Sequence, residues 1–266
     1  MTYFNVLALF IGPPLALLLL WTVFDARRGK DGMGSRLSLL VLLTHVALAL
    51  IYTTPWDNYL VATGVWWYDP TLVIGLTLGW VPIEEYVFFV VQTLLTGLWL
   101  LTLRRYIPSA KERSMPRLRY TSLAVVGLIW IISIFILLSG WHPGTYLGLE
   151  LAWGLLPMMI QLAYGADILW SQHKVVLLAI LVPTVYLYVA DALAIGTGTW
   201  TIDPAQSTGI MMAGVLPVEE MIFFLLTNVL IVSGMILMLS ERSRVLGHKM
   251  AVVWRRRDAE VTDYGL

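Results

Sequence analysis

Cysteine is absent from this chain, and charge is scarce. Without a thiol, disulfides, thiolate nucleophiles and cysteine metal sites are all excluded. Asp, Glu, Lys and Arg make up 13% of the 266 residues, where soluble domains carry about 25%. The formal net charge is zero and by itself says nothing of partners; no nucleic-acid partner is expected. There is no P-loop, zinc HExxH or GxSxG motif. The Gly-Thr-Gly at 196–198 lacks the third glycine and the strand-to-helix setting of a dinucleotide site. The four histidines are scattered: His45 falls within an apolar run, as a hydrogen-bonded core residue, while His142, His173 and His248 fall in loops. Neither a metal nor a cofactor is expected. No lysine lies in an apolar run, which excludes a retinal Schiff base.

What the chain does have is length of hydrophobic sequence, 59% of its residues. Apolar runs recur at about the length that crosses a ~30 Å hydrocarbon layer. Seven spans are expected, at 3–24, 37–54, 72–103, 120–139, 149–169, 175–196 and 207–239. The class is therefore all-α, a polytopic membrane helical bundle. The first run has no basic flank or small-residue cleavage site and reads as a retained helix. The third and seventh are too long for one straight crossing. Each contains a proline that suits a helix start, Pro82 or Pro217, and so a broken or re-entrant first part is expected.

All 17 basic residues fall on one side of this scheme: four in 25–36, six in 104–119, Lys174, and six after 240. The positive-inside rule puts that side and the C-terminus in the cytoplasm, with the protein integral to the cell membrane. The opposite side holds Asp57, Asp69, Asp191 and Asp203, with Trp66, Trp67, Trp141 and Trp200.

A repeat runs through the chain. DNYLVATGVWWYDP (57–70) aligns with DALAIGTGTWTIDP (191–204) at an offset of 134. VPIEEYVFF (81–89) aligns with LPVEEMIFF (216–224) at 135. A weaker match at 142 pairs Gly12 with Gly154 and Asp25 with Asp167. The expected organisation is two parallel three-helix repeats, 1–106 and 147–240, joined by a connector helix in 107–146 and followed by a basic tail, 241–266. Four spans separate matching elements, so both repeats point the same way and a twofold axis runs along the membrane normal.

The paired acids carry the chemistry. Glu84 and Glu85 in one repeat, Glu219 and Glu220 in the other, lie in apolar segments with no cation near enough to pair. Adjacent helical residues are about 100° apart, so both members of a pair cannot cap the same helix end. Counting back from Arg104 places Glu84 about 30 Å away at 1.5 Å per residue, near the outer boundary. Unpaired acids in a membrane are functional by default. Desolvation and a neighbouring carboxylate both favour the protonated form, so one acid of the cluster is expected to serve as a general acid. Phe88 and Phe89 follow Glu84 and Glu85 at i+4, as Phe223 and Phe224 follow Glu219 and Glu220, and an aromatic face stabilises a developing cation. Acid beside aromatic wall suits protonation of an alkene. The face Glu150, Trp153, Pro157, Gln161, Tyr164 is expected to line the same cavity.

PWDNYL at 55–60, GVW at 64–66, VPIEEYVFF and LPVEEMIFF resemble the lycopene cyclase domain, the membrane-embedded family without flavin. The chain looks like a fused form of the heterodimeric bacterial type, similar to the cyclase half of fungal bifunctional proteins. The resemblance implies β-cyclisation of lycopene, a redox-neutral isomerisation on a lipophilic substrate drawn from the bilayer. It implies catalytic roles for Glu84, Glu85, Glu219 and Glu220, with Asp57 and Asp191 as supporting acids. Phe88, Phe89, Phe223, Phe224, Trp66, Trp200, Tyr86 and Trp153 would form the substrate pocket. Further partners would be membrane lipids, and a second copy of the chain or other carotenoid-pathway enzymes. The second repeat departs from the first, with VADAL at 189–193 and Met221 in place of Tyr86, which favours one composite site. A related end-group enzyme, whether a monocyclase, a C50 cyclase or a hydratase, shares the motif. A proton-coupled carrier would bind near the midplane, not near one face.

Overall fold

The computed structural model describes residues 1–28, 36–108, 110–243 and 245. Much of the basic tail, His248 included, and the basic residue Lys30 lie outside the described residues. Among the described residues, seven helices are long and apolar enough to cross a membrane. They are α1 (Tyr3–Arg27), α2 (Arg36–Ala62), α3 (Ile83–Tyr106), α4 (Pro116–Leu138), α5 (Thr145–Ser171), α6 (His173–Gly196) and α7 (Val218–Leu239). Short strands join them: β1 (Trp66–Tyr68), β2 (Thr77–Leu78), β3 (Val81–Pro82), β4 (Trp200–Ile202), β5 (Met211–Met212) and β6 (Leu216–Pro217). The most deeply buried helices are α3 and α7, whereas α4 lies outermost against α5.

Two expectations about the spans are corrected. Residues 72–82 and 207–217 are not the first parts of helices. Each ends in a two-stranded hairpin, β2–β3 or β5–β6, turned by glycines with positive φ, Gly79 (69°) and Gly214 (73°). Pro82 and Pro217 then sit as extended N-caps, so α3 and α7 start one residue later. Second, α2 does not end at 54. It runs through Pro55 to Ala62 and carries Asp57 within the helix. Pro55 removes one N–H from the ladder, and side chains strengthen the turn around it. Thr54 donates to the Leu50 carbonyl (2.5 Å), and Asn58 donates to the Thr54 carbonyl (2.9 Å).

Prolines elsewhere free carbonyls that tyrosines collect. Pro14 cannot donate to the Phe10 carbonyl, which accepts the Tyr186 hydroxyl at 2.5 Å. Pro157 leaves the Trp153 carbonyl without its helical donor, and the Tyr52 hydroxyl takes that place at 2.9 Å. Tyr52 and Tyr186 are 134 positions apart, and Pro14 and Pro157 are 143 apart. A π-turn at Leu7–Ile11 precedes the Gly-Pro-Pro of α1.

The same relation recurs at the centre. β1 and β4 pair antiparallel with Trp67 opposite Thr201, Trp66 opposite Ile202 and Tyr68 opposite Trp200. Trp67 and Thr201 differ by the repeat offset, so a residue faces its own counterpart and the flanking pairs exchange. That is the register of a twofold axis. On the same pattern, Gln92 of α3 donates to Thr227 of α7 at 2.9 Å, an offset of 135. Close packing holds these helices: a Cβ on Gly97 would lie 2.3 Å from Leu42 Cδ1 and 3.0 Å from Met235 Sδ. Small residues of this kind let membrane helices approach.

Charge gathers at one end of the bundle. Asp25 meets Arg105 at 2.9 Å, and Asp167 meets Arg119 (2.7 Å) and Arg242 (3.0 Å). The first turns of α3 and α7, with their glutamates, lie at the other.

Candidate active site

Because α3 and α7 start at capped prolines, both glutamate pairs occupy first turns. The members of each pair do different things. Glu84 Oε1 accepts the Ile74 N–H at 2.7 Å, and Glu219 Oε1 accepts the Thr208 N–H at 2.6 Å. Each of these acids pins an incoming loop onto its helix. The next residue, about 100° further round, points into a cavity of about 640 Å³ counting its mouth, lined by both Glu85 and Glu220. Phe88 and Phe89 accompany Glu85 there, and Phe223 and Phe224 accompany Glu220. Phe88 and Phe223 thus share a face with the second acid of each pair, at i+3, rather than with Glu84 and Glu219.

Four carboxyls share this space. Asp57 from α2 and Asp191 from α6 line it beside the two glutamates, and among the described residues no lysine, arginine or histidine does. Each aspartate approaches a tryptophan indole, Asp57 that of Trp66 and Asp191 that of Trp200, without closing a hydrogen bond of good geometry. Four bare negative charges in an apolar enclosure would be prohibitively costly. The cluster must hold protons.

Tyrosines organise the glutamates. Tyr3 donates to Glu85 Oε2 at 2.5 Å, and Tyr68 donates to the same oxygen at 3.0 Å. Tyr146 donates to Glu220 Oε1 at 2.6 Å. Burial first, and then the Asp57 and Glu85 carboxyls, push the Tyr68 hydroxyl well above its usual range, which keeps it a donor. Around them stands an aromatic wall. Trp56 stacks on Trp153 (4.5 Å between centroids) and on Phe223 (5.8 Å), while Phe88 meets Phe224 edge-on at 6.1 Å. The quadrupoles of such rings favour a cation between them.

Not every expected residue reaches this cavity. Glu84 and Glu219 stay behind the loops they hold. Tyr86 points away, donating to the Leu78 carbonyl (2.8 Å) while its hydroxyl accepts from Asn58 (2.9 Å). Trp66 and Trp200 do line it. The expectation for the α5 face is corrected. Trp153, Pro157 and Gln161 line a second cavity, Glu150 is buried beside Glu219 and Glu220, and Tyr164 bonds Ser243 near the far end (3.1 Å). The face divides because it is long: Glu150 and Tyr164 are 14 positions apart, about 21 Å along the helix at 1.5 Å per residue, so its two ends lie at different depths of the bundle.

The family described as Lycopene cyclase matches residues 1–103 and 143–239. The chain belongs to the lycopene cyclase family. A lycopene beta-cyclase of Halobacterium salinarum is 41% identical over 238 residues, covering 89% of this chain and 95% of the relative. A bifunctional lycopene cyclase/phytoene synthase of Podospora anserina is 37% identical over 75% of this chain, matching 35% of that longer protein. A protein described in the same words from Colletotrichum graminicola is 36% identical over 83% of this chain and 38% of its own length. No solved structure matches. The lycopene cyclase match omits the segment that contains α4, the helix at the bundle's edge.

Sequence reasoning missed Tyr3, Tyr68, Tyr146 and Trp56. A signal existed for two of them. An offset of 143 pairs Tyr3 with Tyr146 and Pro14 with Pro157. The match at 142 concealed it, because the two repeats slip by one residue before Asp25 and Asp167.

Proposed function

We propose that this chain is a lycopene β-cyclase, an intramolecular lyase in the membrane that converts ψ-end groups to β-ionone rings without redox change. The observation that carries this reading is the single cavity in which Glu85 and Glu220, one from each half, face four phenylalanines with no cationic partner among the described residues. Proton donor, proton acceptor and a shelter for a carbocation are then in one place.

The two acids differ in their partners. Glu85 Oε2 accepts hydrogen bonds from two phenols, which suits a carboxylate that accepts a proton. Glu220 accepts from one phenol, and its second partner is the Asp191 carboxyl, which can carry a proton and pass it on. Glu220 is therefore assigned as the acid. It protonates C2 of the terminal alkene, leaving the cation at C1. The C5=C6 electron pair closes the C1–C6 bond and moves the cation to C5. Glu85 removes the C6 proton, and the C–H pair becomes the ring double bond. One proton enters, one leaves, and the formula is unchanged. Aromatic faces beside the cation lower the barrier, and exclusion of water prevents its capture.

The symmetric β1–β4 register and the Gln92–Thr227 contact support two parallel repeats, 1–106 and 147–240, joined through 107–146. The one-sided arginines support a cell-membrane orientation with the C-terminus in the cytoplasm. Expression in a lycopene-producing bacterium with pigment analysis tests the activity. Bicyclic β-carotene is expected, and unchanged lycopene with good expression would defeat the proposal. In heavy water, each ring should carry one deuterium at C2.

A further inference from the structure

A second cavity adjoins the first, and Phe89 and Phe223 belong to the walls of both. It encloses about 850 Å³ between α2, α3, α5 and α7, counting its mouth. Along α7 its lining runs from Phe223 to Ile231, about 12 Å at 1.5 Å per residue. It therefore leads away from the glutamates towards the middle of the bundle.

We propose that this second cavity holds the part of the conjugated chain that follows the end group while that end group occupies the acid cavity, and that its mouth between α2 and α5 is where the substrate passes from the lipid. The proposal rests on the cyclase reading for the identity of the occupant. Three observations carry it. The first is continuity: an end group beside Glu85 and Glu220 must trail its chain somewhere, and the space beyond Phe89 and Phe223 is the next void.

The second is the chemistry of the wall. Several polar residues line this space, and three of them turn a donor into the protein. Gln92 donates to Thr227 (2.9 Å), Gln161 donates to the Leu230 carbonyl (3.0 Å), and Tyr52 donates to the Trp153 carbonyl (2.9 Å). What remains facing the void is largely aliphatic and aromatic, which fits a hydrocarbon and not a polar solute.

The third is access. Leu48 and Tyr52 line the cavity and are also 52% and 39% exposed on the outer face of α2. That face lies in the apolar span, so the opening meets lipid. Across the twofold, the counterparts of Ala49 and Thr53 are Pro183 and Leu187, both buried. The repeat supplies two acids to one site, but at these positions only the α2 side lines the void.

Ala49→Trp tests this, because a large side chain there fills the cavity from a half-buried position. Ala47→Trp, two residues away on the exposed face of α2, is the control for folding and insertion. Each protein is purified from lycopene-producing cells, the retained carotenoid is measured by absorbance, and ring formation is measured after reconstitution with lycopene. The expected result is at least a tenfold loss of both retained carotenoid and ring formation in A49W, with A47W like the wild type. Normal retention and cyclisation by A49W would overturn the proposal, as would equal losses in A47W. A Glu85→Gln/Glu220→Gln background separates the two readings. It should retain lycopene without cyclising it, and A49W should remove that retention. If the wild type formed no rings yet retained lycopene in an A49W-sensitive way, the cyclase reading would fail and the binding site would stand.

Discussion

Tyr146 donates its hydroxyl to Glu220 at 2.6 Å across the α5–α7 contact, and both residues are buried. A short bond of this kind to a carboxyl is among the stronger hydrogen bonds in proteins. Tyr146→Phe removes it while keeping the ring. Ring formation should fall by roughly tenfold, equivalent to about 1.4 kcal/mol of barrier. Tyr3→Phe should cost less, because Tyr68 still donates to Glu85. Initial rates in reconstituted membranes check this order, and a larger loss in Y3F than in Y146F would contradict it.

The assignment of acid and base makes the two glutamines distinguishable. Glu220→Gln has no proton to give and should leave lycopene unreacted. Glu85→Gln should still permit slow ring closure but remove the C6 proton poorly. Its trace products should carry the ring double bond elsewhere, from loss of a proton at C4 or at the C5 methyl. Pigment chromatography and mass spectrometry would show the difference. The same misplaced double bonds in the Glu220 variant would reverse the assignment.

Glu84 and Glu219 hold loops through their Oε1 atoms. Glu84→Gln keeps that acceptor and should retain most activity. Glu84→Ala strands the Ile74 N–H and should lower stability by about 1–3 kcal/mol, seen as a lower melting temperature in detergent. Loss of all ring formation in E84Q, with a normal melt, would place Glu84 in the chemistry instead.

At the opposite end, Arg105 and Asp25 form an ion pair whose side chains are 4% and 3% exposed. Arg105→Met would take the guanidinium away from a buried Asp25, which keeps its Tyr106 contacts among others. Breaking such a pair costs about 3–5 kcal/mol. The melt should drop sharply, whereas the ratio of ring products made by the folded fraction should not change.

Gly97 and Gly127 give a matched pair of substitutions. A Cβ on Gly97 would meet Leu42 at 2.3 Å, while on Gly127 of α4 its nearest neighbour is Met159 Sδ at 3.6 Å. Gly97→Val should cost about 1–3 kcal/mol through overpacking, and Gly127→Val should be tolerated. Thermal denaturation of both variants compares them directly.

The seven apolar helices were legible because a span needs only length and hydropathy, and those are properties of consecutive residues. The hairpins at 77–82 and 211–217 were not, since their residues are as apolar as the helices they precede. Their form depends on φ-positive glycines and on loops pinned by Glu84 and Glu219. The end of α2 was misread because Pro55 looks like a terminator until Thr54 and Asn58 are seen to strengthen the turn around it.

The sequence by itself determined that four glutamates lie in two equivalent first turns, with aromatics one turn on and no cation in reach. Repetition and spacing suffice for that. Only the tertiary structure decided which glutamate of each pair faces the cavity. Neighbours on a helix differ by about 100°, and the rotation of α3 and α7 about their axes is set by the helices packed around them. It also brought Tyr3, Tyr68 and Tyr146 to those glutamates. These contacts join residues 82, 17 and 74 positions apart, and folding alone makes them neighbours.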